Sequence, residues 1–187
     1  MSIIVRLLEN RSVRKRGHDL PALKGLVAPG PEVRLLDIGG GTGIATIRFA
    51  SGCRRIVILE PDRRKLRYGR RANPPLSFVR GKAEALPFPD DSFERVAAVV
   101  SFHHVGDPDR ALREIRRVLS PGGRLVLHEL YPEAHAGWFA RVLGKRLHGS
   151  PPSFYEPDAL RRILVAHGFR DISVTDGERG YFVTGSR

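Results

Sequence analysis

Leu35-Leu36-Asp37-Ile38-Gly39-Gly40-Gly41-Thr42-Gly43 is the stretch whose reading decides the fold. Val33, Leu35, Leu36 and Ile38 form the apolar run of a strand covered on both faces. The pattern predicts a strand over 33–38 with Asp37 at its end. Gly39, Gly41 and Gly43 allow a left-handed backbone and a close approach by a ligand, since no Cβ intervenes. Ile44 to Ala50 suits a helix, over about 43–51, whose first amides face that ligand. A dinucleotide-binding turn requires G-x-G-x-x-G/A spacing. Counted from Gly39 the last position is Ile44, and from Gly41 it is Thr46. This disfavours a nicotinamide oxidoreductase. The stretch does contain D-x-G-x-G-x-G, from Asp37 to Gly43.

Working outward, apolar runs alternate with helical patterns, the order of a doubly wound parallel sheet. Further strands are expected at 55–60, 76–80, 95–100 and 124–129. Asp62 is placed to N-cap a helix reaching Ala72, which Asn73-Pro74-Pro75 ends. A second helix is expected from Pro108 to Leu119, where Ala111, Leu112, Ile115, Val118 and Leu119 make one apolar stripe. Ser120-Pro121-Gly122-Gly123 breaks it. Residues 81–90 read as a loop or short helix. A helix over about 157–167 leads through Gly168-Phe169 to a strand at 170–175, a turn at Asp176-Gly177 and a last strand at 181–185. Such a hairpin puts one antiparallel strand into the sheet. The expected fold class is therefore α/β, a three-layer Rossmann-like doubly wound sheet, mostly parallel with one antiparallel strand near the C-terminus.

The chain has 187 residues, one cysteine and a formal charge of +12. That length suits one domain over 1–187, with a basic extension at 1–32 that holds a short helix at 20–28. No window reaches the roughly 20 apolar residues of a membrane span. At the N-terminus the positive charges follow the apolar residues, the wrong order for a secretory signal. Cys53 has no partner for an internal disulfide, and the cytoplasm is the expected location. Arginine clusters at 11–16, 54–55, 63–67 and 70–71 make a basic surface suited to RNA, DNA, anionic lipid or acidic substrates, or simply to solvent.

Taken in order over about 33–130, the motifs resemble the class I methyltransferases that use S-adenosylmethionine (SAM), in their UbiE-like (methyltransferase type 11), small-molecule branch. Asp37–Gly43 resembles their motif I, and Glu60, ahead of Pro61-Asp62, their motif II acid. Gly81-Lys82-Ala83-Glu84-Ala85-Leu86-Pro87-Phe88-Pro89-Asp90-Asp91-Ser92-Phe93-Glu94 is similar to their G-D-A-E-x-L-P-F-x-D-x-S-F-D segment. Arg95 to Pro108, with His103-His104-Val105 and Asp107-Pro108, resembles motif IV and the start of the helix after it. The resemblance implies that Asp37, Gly39, Gly40, Gly41 and Gly43 hold the methionine end of SAM, with S-adenosylhomocysteine as product. It implies that Glu60, beside Pro61, accepts hydrogen bonds from both ribose hydroxyls. It places Ala83, Glu84 and the backbone near Val99 around the adenine. Lys82 departs from the pattern. The family has an acid or amide there that reaches the adenine amino group, whereas lysine has donors and no acceptor. Either the Ala83 backbone and apolar packing hold the adenine alone, or affinity is reduced.

Substrate class follows from what motif IV lacks. The acid/amide/Ser-Pro-Pro-aromatic stretch of amino-methylating DNA enzymes is absent, and Asn73-Pro74-Pro75-Leu76 precedes the wrong strand and reads as a helix stop. RNA cytosine C5-methylation needs a cysteine nucleophile near motif IV, and Cys53 lies elsewhere. Ligands bind beyond the carboxyl ends of the strands in open α/β sheets. That edge collects His103, His104, His128, Glu129 and Tyr131. Methyl transfer is in-line displacement at a sulfonium carbon, so alignment and exclusion of water dominate. A base is required only for an acceptor that carries a proton of high pKa. His103 or Glu129 suits that catalytic role, or else a structural hydrogen bond. The histidine spacing matches no fixed metal motif, so no metal is assigned. Residues 131–155 read as a lid-like insertion with a helix around 138–147. Trp138, Phe139, Phe154 and Tyr155 either wall an acceptor pocket or pack on the sheet. A small-molecule acceptor is the first expectation. The alternatives are an RNA or protein methyltransferase docking through the basic surface, and a non-catalytic SAM-binding module. The sequence says nothing of oligomeric state.

Overall fold

Leu35 and Leu36 are wholly excluded from solvent because β1 (Arg34–Ile38) lies inside a sheet, between β2 (Arg55–Leu59) and β4 (Phe93–Val99). The computed structural model describes residues 19–132 and 153–187. The arginine cluster at 11–16 and the helix expected around 138–147 lie outside them. The described residues form one seven-stranded sheet in the order β3-β2-β1-β4-β5-β7-β6. It is completed by β3 (Ser77–Val79), β5 (Leu119–Glu129), β6 (Arg170–Asp176) and β7 (Tyr181–Ser186). Only β7 runs against the rest, pairing antiparallel with both β5 and β6.

Alternation along each strand sends side chains to opposite layers. Leu36, Ile38, Val96, Ala98, Leu125 and Leu127 pack beneath α4 (Pro108–Val118) and α5 (Pro157–Ala166). Leu35, Ala97, Val99, Val126 and Phe182 face α1 (Leu20–Val27) and α2 (Thr46–Phe49). Ile58 and Phe78 meet Leu66 of α3 (Arg63–Ala72). This is the three-layer arrangement that the strand–helix alternation implies.

Local chemistry sets most boundaries where the sequence puts them. Asp62 caps α3 by accepting from the Arg64 amide at 2.7 Å, and Asp107 caps α4 through the Arg110 amide at 2.9 Å. Two boundaries differ by several residues. The helix expected at 43–51 starts only at Thr46, because Gly43 has φ +76° and a left-handed residue cannot open a helix. Strand five begins at Leu119 rather than Arg124. Leu119 pairs with Phe93 across an irregularity in the β4–β5 register, so Ser-Pro-Gly-Gly bulges the strand without ending it. The edge at β3 is blunted: Arg70 donates to the Phe78 carbonyl at 2.9 Å.

Two fastenings hold α1. Buried Asp19 accepts from the Glu178 amide at 2.8 Å and lies 3.3 Å from His128 Nε2. At the other end Arg95 and Arg124 donate to the Val27 and Leu26 carbonyls, as cations do at a helix C-terminus.

β1 and β4 are also joined by charge. Glu94 accepts from the Arg34 amide at 2.7 Å and pairs with its guanidinium. Hydrogen bonding to Arg34 holds the Glu94 carboxyl at about 2, from an ordinary value of 4.5. A carboxyl depressed in the folded state stabilises the fold above its unfolded pKa, and this contribution is lost as pH falls through the folded value. The melting temperature should therefore fall between about pH 4.5 and 2. Glu94→Gln should start lower and lose part of that slope in circular-dichroism melts at each pH. An unchanged slope would remove Glu94 from the acid limb.

Candidate active site

The glycine turn leaves β1 in the conformation that its residues demand. Gly39, Gly41 and Gly43 have φ of +71°, +62° and +76°. The Gly39 amide donates to the Leu59 carbonyl at 2.8 Å, which ties the turn to the end of β2. Asp37 is 2% exposed, and its Oδ2 accepts from the Thr46 hydroxyl at 2.5 Å. A Cβ on Gly40 would stand 2.6 Å from that same oxygen. Asp37 thus braces the turn from beneath and clamps it to α2. Because α2 begins at Thr46, fewer helix amides stand near the turn than the expected helix would offer.

Glu60 follows β2 and is 4% exposed. Its Oε1 accepts from the Asp62 amide at 3.0 Å, and its Oε2 lies 3.8 Å from Lys65 Nζ. Pro61, exposed beside it, has its carbonyl engaged by Arg80. The Glu60 amide donates to Val79, and a Cβ on Gly81 would stand 2.7 Å from Leu59 Cδ1. The chain after β3 is therefore pressed against the end of β2. It then turns sharply, with the Ala85 amide donating to the Lys82 carbonyl at 3.2 Å. Ala83 and Leu86 are buried and Lys82 is exposed. Glu84 reaches the other way, its Oε1 accepting from the Gly106 amide at 2.9 Å. Its visible task is to join two loops. Val99 turns its side chain into the layer beneath α1, leaving only its backbone at the edge.

Beyond β4 the chain forms a 3-10 turn, Phe102–His104, which nothing in the sequence signalled. Glu129, at the end of β5 and 2% exposed, organises it. Its Oε1 accepts from the Ser101 and Phe102 amides at 3.2 and 2.8 Å, and its Oε2 lies 2.5 Å from His103 Nδ1. A carboxylate there places the imidazole proton on Nδ1 and the ring lone pair on Nε2. Phe154 stacks on the His103 ring with centroids 4.9 Å apart, and His104 lies 4.1 Å away. His128 stands on the other face of the sheet, stacked on Phe182 and beside Asp19. Tyr131 turns to Asp176 through its hydroxyl. The polar residues expected at this edge thus divide: His103, His104 and Glu129 converge, while His128 and Tyr131 serve the α1 and β6 contacts.

Two residues of this edge are not legible in the sequence. Val100 has φ +51°, a strained conformation for a β-branched residue. Ser101 donates from its hydroxyl to the Ile38 carbonyl at 2.6 Å and lies against Gly39. Together they bring the end of β4 against the glycine turn.

A family model described as a methyltransferase domain matches residues 36–127. The ubiquinone/menaquinone biosynthesis C-methyltransferase UbiE of Shewanella frigidimarina is 33% identical over 193 aligned residues, covering 83% of this chain and 76% of that protein. The chain belongs to the UbiE-like class I SAM-dependent methyltransferases. A demethylmenaquinone methyltransferase of Renibacterium salmoninarum is 38% identical over 99 residues, covering 53% of this chain. There the methyltransferase spans only 42% of its relative's length. The crystal structure of a SAM-dependent methyltransferase from Aquifex aeolicus shares the fold at TM-score 0.74 and 18% identity, covering 93% of this chain and 92% of that one. No helix of the methyltransferase among the described residues is long and apolar enough to cross a membrane.

SAM is the cofactor of this family, and the residues present suit it. A buried carboxylate at the end of β2 offers acceptors and no donor, as a pair of ribose hydroxyls requires. The left-handed glycines leave no Cβ on the turn at Gly39, Gly41 and Gly43, so a ligand can approach its backbone closely. Glu129 supports this edge mechanically as well as chemically. Glu129→Leu leaves the half-buried Ser101 amide, the buried Phe102 amide and the buried His103 ring without that acceptor, and each buried loss costs about 1–3 kcal/mol. Urea unfolding should show a destabilisation of more than about 2 kcal/mol, and His103→Leu a smaller one. Equal stability of Glu129→Leu and the parent would deny the bracing role.

Proposed function

We propose that this methyltransferase methylates a ring carbon of an aromatic small molecule of the quinol class. One observation carries the reading: a buried carboxylate fixes His103 at the carboxyl edge, with the Phe154 ring stacked on it. When bound, SAM supplies a methyl group on a sulfonium whose sulfur is a good leaving group. Glu60, Asp37 and the glycine turn would hold that cofactor, and Phe154 would offer an aromatic wall to the acceptor. His103, with its proton held on Nδ1, takes the acceptor's hydroxyl proton at Nε2, and Glu129 stabilises the imidazolium that results. The oxygen's electron pair then raises the nucleophilicity of a ring carbon, which forms the new bond to carbon while the old carbon–sulfur pair stays on sulfur. Loss of the ring proton restores aromaticity and the His103 imidazolium returns its proton to the acceptor oxygen, so the net release is one proton. The names of the Shewanella and Renibacterium relatives support a quinone-type acceptor.

The test supplies SAM with a reduced, unmethylated naphthoquinone and follows the product by mass spectrometry. A mass gain of one methylene, with equimolar S-adenosylhomocysteine and loss in His103→Gln, is expected. Cofactor binding without any methylated quinol would overturn the acceptor. A second reading, docking of RNA, rests on Arg63, Arg64, Arg67 and Arg71, all exposed on α3. It requires polynucleotide binding that weakens steeply with salt.

A further inference from the structure

The two edges of the sheet differ in how they are closed. At β3, Arg70 occupies the Phe78 carbonyl. At the other edge β6 pairs with β7 alone. Among the described residues, no backbone group on the outer side of β6 has a partner. Such a row of open donors and acceptors is a template for a further strand. Val165 of α5, the helix that packs on β6, is the one large apolar side chain exposed among the described residues.

Side chains decide which strand fits. β6 reads Arg170-Asp171-Ile172-Ser173-Val174-Thr175-Asp176. Ile172 and Val174 are half-buried against the main core. Arg170 is exposed, and its side chain has no partner among the described residues. Asp176 accepts from the Tyr131 hydroxyl at Oδ1 only, which leaves Oδ2 for a cation. Charges on an edge strand ordinarily repel a copy, but here the two ends carry opposite signs. Turned antiparallel about Ser173, a second β6 sets Arg170 level with Asp176 of the partner subunit. It also sets Ile172 level with Val174 of the partner subunit, and the two-fold axis repeats both contacts. A parallel copy would set like charges level. The bulge after Arg170, where Asp171 has φ +48°, lies at one end and leaves Ser173–Asp176 in regular register with β7. We infer that β6 docks on a second copy of this chain as an antiparallel pair, joining two seven-stranded sheets into one. Because β6 runs parallel to β1–β5, the carboxyl edges of the two copies point opposite ways. Each keeps its own site, so the docking stands apart from the cofactor and the acceptor.

The experiment is sedimentation velocity on the full chain over a series of concentrations, with no ligand added. The parent should pass from monomer to dimer as its concentration rises. Arg170→Asp brings two acids level across the pair, and Asp176→Arg brings two arginines level. Each should weaken association by about tenfold or more, since two like-charged pairs replace two opposite ones. An equimolar mixture of the two variants should restore association, because each then meets the opposite charge on the other. Thermal melts show whether the variants fold. Should Asp176→Arg melt early through loss of the Tyr131 contact, Arg170→Asp decides alone, since it removes no contact among the described residues. A parent that stays monomeric at every concentration would overturn the docking. Association constants agreeing within about twofold among the parent and both variants would also overturn it, by placing the dimer on another face. A mixture of folded variants that associates no better than either alone would overturn the antiparallel pairing.

Discussion

Gly39→Ala should abolish S-adenosylhomocysteine binding and lower the melting temperature. Gly39 has φ +71°, and the left-handed backbone alone costs an alanine about 1–2 kcal/mol. The added methyl would also stand 2.6 Å from Ser101 Cβ and 3.0 Å from its hydroxyl oxygen. Ser101 is held by the Ile38 carbonyl through its hydroxyl and by Glu129 through its amide, so it has nowhere to go. The turn must yield instead, and its amides lose their aim. Affinity should drop by more than about a hundredfold, equivalent to about 2.7 kcal/mol or more. Gly122→Ala is the control. Its φ is +73°, but no atom of the described residues lies within 4 Å of the added carbon. It should cost about 1–2 kcal/mol in stability and leave binding intact. Parental affinity in Gly39→Ala would show that the turn does not hold the cofactor.

Glu60→Leu should have a comparable effect on binding with far less effect on the fold. Among the described residues the carboxylate serves only the Asp62 amide and a 3.8 Å ion pair with Lys65, which is partly exposed. Such pairs contribute little. Toward a ribose it would supply two charge-assisted hydrogen bonds, each of about 1.5–3 kcal/mol. Binding should weaken by more than about a hundredfold. The 2′-deoxy analogue of S-adenosylhomocysteine separates this from general damage. It should bind the parent poorly, and Glu60→Leu no worse than the variant binds the full ligand. If the variant still discriminated fully between the two ligands, the ribose would lie elsewhere.

Much of this architecture was legible because the local signals were unambiguous. The three glycines at alternate positions announce the turn, since few residues other than glycine take three positive φ values so close together. Asp62 and Asp107 announce their helices by side-chain chemistry that acts within three residues. Asp176-Gly177 announces the hairpin that brings in the antiparallel strand, although Asp176 itself pairs with Tyr181 at the end of β6 and the chain turns over 177–180. What escaped depends on contacts distant in sequence. Nothing near Ser101 tells that its hydroxyl will meet Ile38, 63 residues earlier. Glu129 resembles any acid ending a strand until the fold brings the 101–103 segment onto both its oxygens. His128 and Glu129 are neighbours in the chain, yet strand alternation sends them to opposite layers and so to different partners. Ser120-Pro121-Gly122-Gly123 has the composition of a break, but pairing of Leu119 with Phe93 keeps it in the strand.

The seventh strand has a bearing on how the molecule is made. β7 lies between β5 and β6, and among the described residues β6 bonds to no other strand. Tyr181, Phe182 and Val183 sit inside both core layers. During synthesis β6 leaves the ribosome before the strand it pairs with, and β5 waits with one edge open. A nascent chain halted before residue 181 would therefore expose that edge together with the apolar surface that β7 covers, which makes the interval before β7 emerges a period of high risk of aggregation.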